Sequence, residues 1–174
     1  MRRVLLATLM ICSLTRMAHS QALTDNAAKQ VQKEIMNLEW QKTLALEKGV
    51  DGIVEWFSRV NAEGLVHVDG SGYRTRAQCI AEFKSGKRIV TPCKATALAA
   101  HAGSLPSKDD LPNQSIGCSD YYDYKVRAYG DGNTAVLTYY NRIDNKVRFV
   151  TDLYIKEAGK WQREVHQSTP LASQ

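Results

Sequence analysis

From Tyr121 onward the chain alternates strand-like runs with turn residues at hairpin spacing, and this pattern restricts the fold more than any other feature. The runs are Tyr121–Tyr129, Thr134–Ile143, Lys146–Lys156 and Lys160–Ser168, each rich in Tyr, Val, Thr and Ile. Between them stand Gly130-Asp131-Gly132-Asn133, Asp144-Asn145 and Glu157-Ala158-Gly159, all of hairpin length. Upstream of residue 86 the periodicity is mostly helical. Helices first and an antiparallel meander last predict an α+β domain whose sheet curls around its helices. That shape encloses a pocket, so the inner face of the sheet is where function is to be sought.

Residues 24–47 read as one long helix with Thr24 or Asp25 as N-cap. Val31, Ile35, Leu38, Ala45 and Leu46 fall in one apolar stripe. Met36, Trp40 and Leu44 recur at i, i+4, i+8 on nearly the opposite side, and Glu39 lies between the two stripes. A helix with two such stripes is covered twice, once by the sheet and once by a helix, a partner subunit or a ligand, which makes Trp40 a candidate ligand contact. A second helix is expected over Val50–Arg59, a short strand over Leu65–Val68 closed by Asp69-Gly70-Ser71-Gly72, and a third helix over Arg76–Lys84 capped by Thr75. Residues 87–119 form a long loop insertion with Pro106 and Pro112, and such connections are functional, tethered or mobile. It reads either as a flap over a pocket mouth or as an ordinary surface insertion. Asn113-Gln114-Ser115 within it matches a glycosylation acceptor.

The first twenty residues have the layout of an export signal. Arg2 and Arg3 precede the apolar run Val4–Leu14, and Ala18-His19-Ser20 is a small-x-small cleavage site. The run is too short to span a bilayer, so no stable membrane insertion is expected. Bulky Leu9-Met10-Ile11 before Cys12 argues against lipoprotein processing. The mature chain is therefore expected to be periplasmic or secreted, one domain over 21–174. Loss of Arg2, Arg3 and Arg16 leaves 20 Lys+Arg against 18 Asp+Glu, with no cluster that would track phosphates. Nucleic acid is thus not an expected partner. In an oxidising compartment Cys93 and Cys118, which flank the Pro- and Ser-containing stretch, are the expected disulfide, worth roughly 3–4 kcal/mol. Cys79 reads as a buried small hydrophobe, and three free thiols are the alternative. No spacing suggests a metal site.

The order of elements, with Leu38-Glu39-Trp40, Leu44, Val50-Asp51, Asp69-Gly70, Thr75, Ile80 and Gly86-Lys87, resembles the nuclear transport factor 2-like superfamily. The C-terminal half is closer still: Val126-Arg127, Gly130-Asp131, Thr134-Ala135-Val136, Thr151-Asp152-Leu153-Tyr154-Ile155, Gly159-Lys160-Trp161-Gln162 and Gln167-Ser168-Thr169. It is most similar to the exported SnoaL-like bacterial branch, over residues 30–86 and 120–170. The resemblance implies a cone, three helices in the concavity of a curved mixed sheet (cystatin-like), often dimeric through that sheet. Its members include isomerases, dehydratases, cyclases and hydrolases as well as non-catalytic association domains, so the fold leaves function open. Two departures are the long 87–119 loop and Arg163-Glu164 in the last strand, where aliphatic residues are usual.

Registering the last hairpin from a three-residue turn Glu157-Ala158-Gly159 pairs Ile155 with Trp161, Leu153 with Arg163 and Thr151 with Val165. Phe149, Leu153, Ile155, Trp161 and Val165 would then line the core, with Arg163 as an anomalous cation needing a carboxylate, water or ligand. Asp152 would oppose Glu164 on the other face, beside Tyr154 and His166. Opposed carboxylates and an imidazole suit proton transfer to and from a carbon acid: Asp152 or Glu164 as base, His166 as acid or relay, Arg163 or a tyrosine as the stabiliser of negative charge. The alternative is a solvated or dimer-facing outer surface, because a one-residue register error exchanges the faces. His67 reads as an exposed or core histidine. Tyr73, Tyr122, Tyr124, Tyr139, Tyr140 and Tyr154 are candidates to stack on a flat ligand or present hydroxyls, or else plain sheet-surface residues. No phosphate loop, nucleophile elbow or cofactor fingerprint is present, so no cofactor is expected. The expectation is a small-molecule-binding domain for an apolar or aromatic organic compound, possessing at most cofactor-free acid–base chemistry; the competing reading is a non-catalytic binding or homodimerisation module.

Overall fold

A computed structural model describes residues 23–90, 121–143 and 146–171. The leader, the Cys93–Cys118 pair and the glycosylation acceptor lie outside the described residues, as does most of the 87–119 insertion.

Helix α1 spans Asp25–Glu47 and α2 spans Gly49–Val60. Strands β1 (Asn61–Asp69) and β2 (Gly72–Arg74) follow, then α3 (Arg76–Lys84). The closing strands are β3 (Tyr121–Tyr129), β4 (Thr134–Ile143), β5 (Lys146–Glu157) and β6 (Lys160–Pro170). Thr24 caps α1 by accepting from the Ala27 N–H at 3.3 Å, and Thr75 with Gln78 forms a reciprocal capping box on α3. The first strand is longer than the expected Leu65–Val68, and Gly72–Arg74, which begins on the last residue of the expected turn, pairs back on it as β2.

The six strands form one curved sheet in the order β2-β1-β6-β5-β4-β3, with β1 parallel to β6 and every other pair antiparallel. The chain reaches β6 last and inserts it beside β1, which joins the N-terminal hairpin to the meander. The three helices cover one face: α1 packs on α2, β3 and β4, while α3 packs on α2 and β1. Ile35, Trp56, Val60, Leu65, Leu137 and Val150 are all but fully buried between the layers. Phe57 meets Trp56 and Phe83 edge-on, with ring centroids at 5.8 and 5.1 Å. Gly52 lets α2 turn tightly against the end of α1, since a Cβ there would meet the Ala45 carbonyl oxygen at 2.4 Å.

Two irregularities decide which side chains enter the concavity. The β5–β6 turn has two residues, not three: Glu157 pairs with Lys160, and Ala158 and Gly159 both take positive φ (47° and 78°). Further along, Tyr154 pairs with Arg163 but Leu153 pairs with Val165, so Glu164 is the extra residue of a β-bulge. The expected register is corrected on both counts. Val150, Asp152 and Tyr154 face the helices, together with Trp161 and Arg163, whereas Phe149, Leu153, Ile155 and Val165 remain half-buried on the convex side. Because a bulge advances the strand by one residue, Arg163 and His166, an odd number apart, both reach the concave side.

Candidate functional site

Asp152 is the centre of the concave face. Its side chain is fully buried, and its register partner is His166, not Glu164. The His166 Nδ1 lies 2.6 Å from Asp152 Oδ1, and Arg163 Nη1 lies 3.4 Å from both carboxylate oxygens. Burial pushes the Asp152 carboxyl upward, but Arg163 and His166 outweigh it and hold the group well below the usual carboxylate range. Burial is also the main influence on His166; joined by Arg163 and Lys42, it lowers the imidazole despite the opposing pull of Asp152. At neutral pH His166 is therefore uncharged, and the ionised Asp152 fixes the tautomer with the proton on Nδ1. Nε2 is left as a free base on a side chain that keeps 14 % of its surface open.

Arg163 is held on every side. Its Nε donates to Asn61 Oδ1 at 2.8 Å, and its guanidinium lies over Trp56 and Phe57 at 5.0 and 5.4 Å from their ring centres. Asn61 is brought opposite Arg163 by the parallel β1–β6 pairing, and an irregularity between Asn61 and Val66 then restores the register so that His67 faces His166. The two imidazoles stack at 4.5 Å. Burial first, then His166, Arg88 and Arg163, push His67 down to about 3, so it stays neutral. Arg88, which can only donate, places Nη1 and Nη2 at 3.2 and 3.3 Å from His67 Nε2 and also serves Asp69 at 3.0 Å. The same Nε2 lies 3.2 Å from Asp69 Oδ2, a carboxylate oxygen that can accept its proton, while Nδ1 is buried without a partner.

A second polar chain runs from the sheet into α1. Tyr154 donates to Glu39 Oε1 at 2.9 Å, Lys42 donates to Glu39 Oε2, and Lys42 Nζ also lies 3.3 Å from the Tyr139 hydroxyl. Tyr139 stacks on Tyr124 at 4.9 Å, where a bulge in β3 and positive φ at Asp123 (56°) turn the strand inward. Burial, with Glu39 and Asp152 nearby, raises the Tyr154 phenol well above its ordinary value, so it acts only as a neutral donor. Four buried polar atoms on the described residues find no partner: Asn61 Nδ2, His67 Nδ1, Asn141 Oδ1 and Arg148 Nε.

The structure therefore gathers Asp152, His166, Arg163 and Tyr154 in one network and places Tyr139 and Tyr124 beside it. It separates three residues from that network. Glu164 is the bulged residue and makes no polar contact with Asp152. Tyr73, on the edge strand β2, is 60 % exposed and has no contact with the network. Trp40 is packed into the core on α1. Glu39, Lys42 and Asn61 were not among the sequence candidates. Their signal was a Glu/Lys pair at i, i+3 whose members fall within the buried arc of α1, since charged residues at apolar positions need partners. Among the described residues no group of three or more acidic, His or Cys ligands is close enough to hold a metal. A cavity of about 150 Å³ lies away from Asp152, between α1 and α2, lined by Leu44, Lys48, Trp56 and Arg59 among others.

Three helices laid in the concavity of a six-stranded mixed sheet, with a polar network at their junction, define an NTF2-like, cystatin-like fold. Solved structures bear this out. An NTF2-like protein from Cytophaga hutchinsonii superposes with a TM-score of 0.55 at 17% identity, over 80% of this chain and 98% of that one. A cystatin-like fold protein from Burkholderia xenovorans gives 0.54 at 9% identity, over 83% and 95%. A candidate dehydratase from the NTF2-like family of Streptomyces avermitilis gives 0.50 at 12% identity, over 83% and 98%. At such identities the likeness is one of fold. No family model matches the sequence, and no curated protein matches it either. No helix among the described residues is long and apolar enough to cross a membrane.

Proposed function

We propose that this chain is an exported small-molecule-binding domain in which His166 and Asp152 move a proton to and from a carbon acid. The observation that carries the reading is the 2.6 Å contact between a fully buried Asp152 and a partly open His166. Asp152 orients the ring and stabilises the imidazolium that forms, so the base is His166 Nε2, in place of the carboxylate base that the sequence pattern suggests. Arg163 keeps Asp152 ionised, and the single proton of Tyr154 is committed to Glu39. Every group required is a side chain, so isomerisation, dehydration, cyclisation or lyase cleavage of an apolar or aromatic compound needs no cofactor here. That a Streptomyces avermitilis protein of this fold is a candidate dehydratase agrees with the reading.

The test is solvent-deuterium exchange into a panel of enolisable aromatic and alicyclic ketones, followed by proton NMR. The wild-type protein is expected to catalyse exchange, and His166→Phe, which keeps the stack on His67, to abolish it. Equal exchange by both proteins removes the acid–base reading.

A second reading rests on a different surface. The convex side carries Val136, Phe149, Leu153, Ile155 and Val165, half-buried and covered by none of the described helices. This suits homodimerisation sheet to sheet, and a purely associating module would need that face alone. Sedimentation of wild type against Leu153→Lys separates monomer from dimer.

A further inference from the structure

Asn61 grips the one fully buried guanidinium of the network with only half of its amide. The residue is wholly buried, and its backbone is pinned at both ends. Its N–H donates to the Phe57 carbonyl at the end of α2, and its own carbonyl accepts from Arg76 Nη1 at 3.0 Å. The side chain is thereby set against Arg163, its register partner on β6, whose Nε donates to Oδ1 at 2.8 Å. The other half of the amide goes unused, because Nδ2 is a buried donor without an acceptor. A carboxylate of the same shape would strand no donor, and its charge-assisted bond to the guanidinium would be roughly twice as strong. For gripping Arg163, aspartate is the stronger choice, so the amide answers a different demand.

That demand is visible in the charges around His166. Facing the imidazole are Asp152 from β5, Arg163 from β6, Lys42 from α1 and the neutral His67 from β1, with Arg88 behind His67. Toward Arg163, α2 brings the rings of Trp56 and Phe57, α3 the buried thiol of Cys79, and Glu39, Tyr139 and Tyr154 also act on it. Arg163 is paired with Asp152 and Lys42 with Glu39, so the formal charges cancel while His166 is uncharged. A carboxylate at position 61 would divide the guanidinium's charge between two anions and leave the cluster with one negative charge in excess. His166, already 2.6 Å from Asp152, is the group placed to balance that excess by taking up a proton. An imidazolium has no lone pair at Nε2 and is no base.

We propose that Asn61 is a positioning residue for the proton-transfer pair: it fixes the guanidinium of Arg163 without drawing on its charge, which stays committed to Asp152 and leaves His166 an uncharged base. This deepens the acid–base reading and rests on it for its purpose, though the protonation of His166 can be measured without any substrate. Asn61 acts on the imidazole only through Arg163, and the two are 102 residues apart in the chain, so the parallel β1–β6 pairing sets the proton affinity of the site.

The experiment follows the His166 ring against pH by proton–carbon NMR on the full chain, with its signal assigned by its loss in His166→Phe. Asn61→Asp keeps the shape and adds the charge. Its His166 midpoint is expected about one pH unit or more above that of wild type, the usual effect of an added opposite charge within a few ångströms. Asn61→Ala removes the contact without adding charge, and is expected to lower stability while leaving the midpoint within about 0.3 unit. An unmoved midpoint in Asn61→Asp overturns the proposal, and so does an equal rise in Asn61→Ala, which would make the residue a structural hold only. Where Asn61→Asp folds too weakly for NMR, urea unfolding takes its place. That variant should lie closer to wild type at about pH 6 than at about pH 8, because its folded state binds a proton that wild type does not, whereas Asn61→Ala lies equally far at both. Equal distances for Asn61→Asp overturn the proposal as well. Deuterium exchange separates this inference from the one beneath it. A raised midpoint alongside a wild type that exchanges no ketone sinks the proton-transfer reading and leaves the role of Asn61 standing; exchange by wild type with an unmoved midpoint does the reverse.

Discussion

The concave face of the meander buries charge within an apolar core, whereas its convex face leaves apolar residues half-exposed. Against the helices the sheet presents Asp152, Arg163, His166 and Tyr154 among Leu137, Val150 and Trp161; on the opposite, convex side it presents Phe149, Leu153, Ile155 and Val165. A chain optimised for stability alone would exchange the two sets, since well-packed apolar residues commonly do as well as or better than a buried ion pair. The difference teaches where each demand acts. The concave side gives up stability for fixed charges at defined separations, and the convex side keeps the apolar area that an association would need.

The comparison breaks most severely at Asp152. Asp152→Ala would leave Arg163 buried and unpaired, and a loss of roughly 3–5 kcal/mol is expected in urea unfolding. A loss under 1 kcal/mol would mean that the concave charges are solvated and the contrast of faces is false.

Acid should act on the concave face next. The folded His67 lies at about 3 and the unfolded one near 6.5, so between those values the unfolded chain binds more protons. Stability is therefore full above pH 6.5 and falls as pH drops. His67 alone accounts for about 2 kcal/mol between pH 6.5 and 5, above the range where carboxylates titrate. His166, also lowered, adds in the same direction. Thermal melts across this window should show the decline in wild type and a flatter curve in His67→Phe. By the same logic, the acid limb of any His166-dependent rate lies below pH 6.5.

On the convex side, Leu153→Lys is expected to change monomer stability by about 1 kcal/mol or less, because the side chain is only half-buried, while abolishing any dimer seen by sedimentation. The smallest effect is expected at Glu164. Glu164→Ala should change unfolding free energy by no more than about 0.5 kcal/mol and leave deuterium exchange intact, since the position shapes the strand and the carboxylate touches nothing in the network. A large loss of exchange in that variant would return Glu164 to the acid–base machinery.

Much of the architecture was legible because it rests on local chemistry. The helix limits at Thr24, Gly49, Thr75 and Gly86, and the four closing strands, follow from caps, glycines and alternation that act within a few residues. The likeness to the nuclear transport factor 2 fold follows from the order of those elements. The site was legible in part. Asp152, Tyr154 and His166 fall on one face as expected because the shorter turn and the bulge each shift the register by one residue and together restore its parity. Arg163 was assigned to the opposite side and Glu164 to the site because period-2 counting carries no information about a bulge. Asn61, His67 and Glu39 join the network through β1–β6 pairing and helix–sheet contact across about a hundred residues, which no local pattern encodes.

The extra residue at Glu164 has a consequence for reading relatives of this chain. It makes the spacing between Arg163 and His166 three where an unbroken strand would require two or four, so aligning sequences without a gap would equate functional positions with convex ones. Relatives should be matched by where their side chains stand in space, and a one-residue indel at that point should be treated as a change in what the concave face presents.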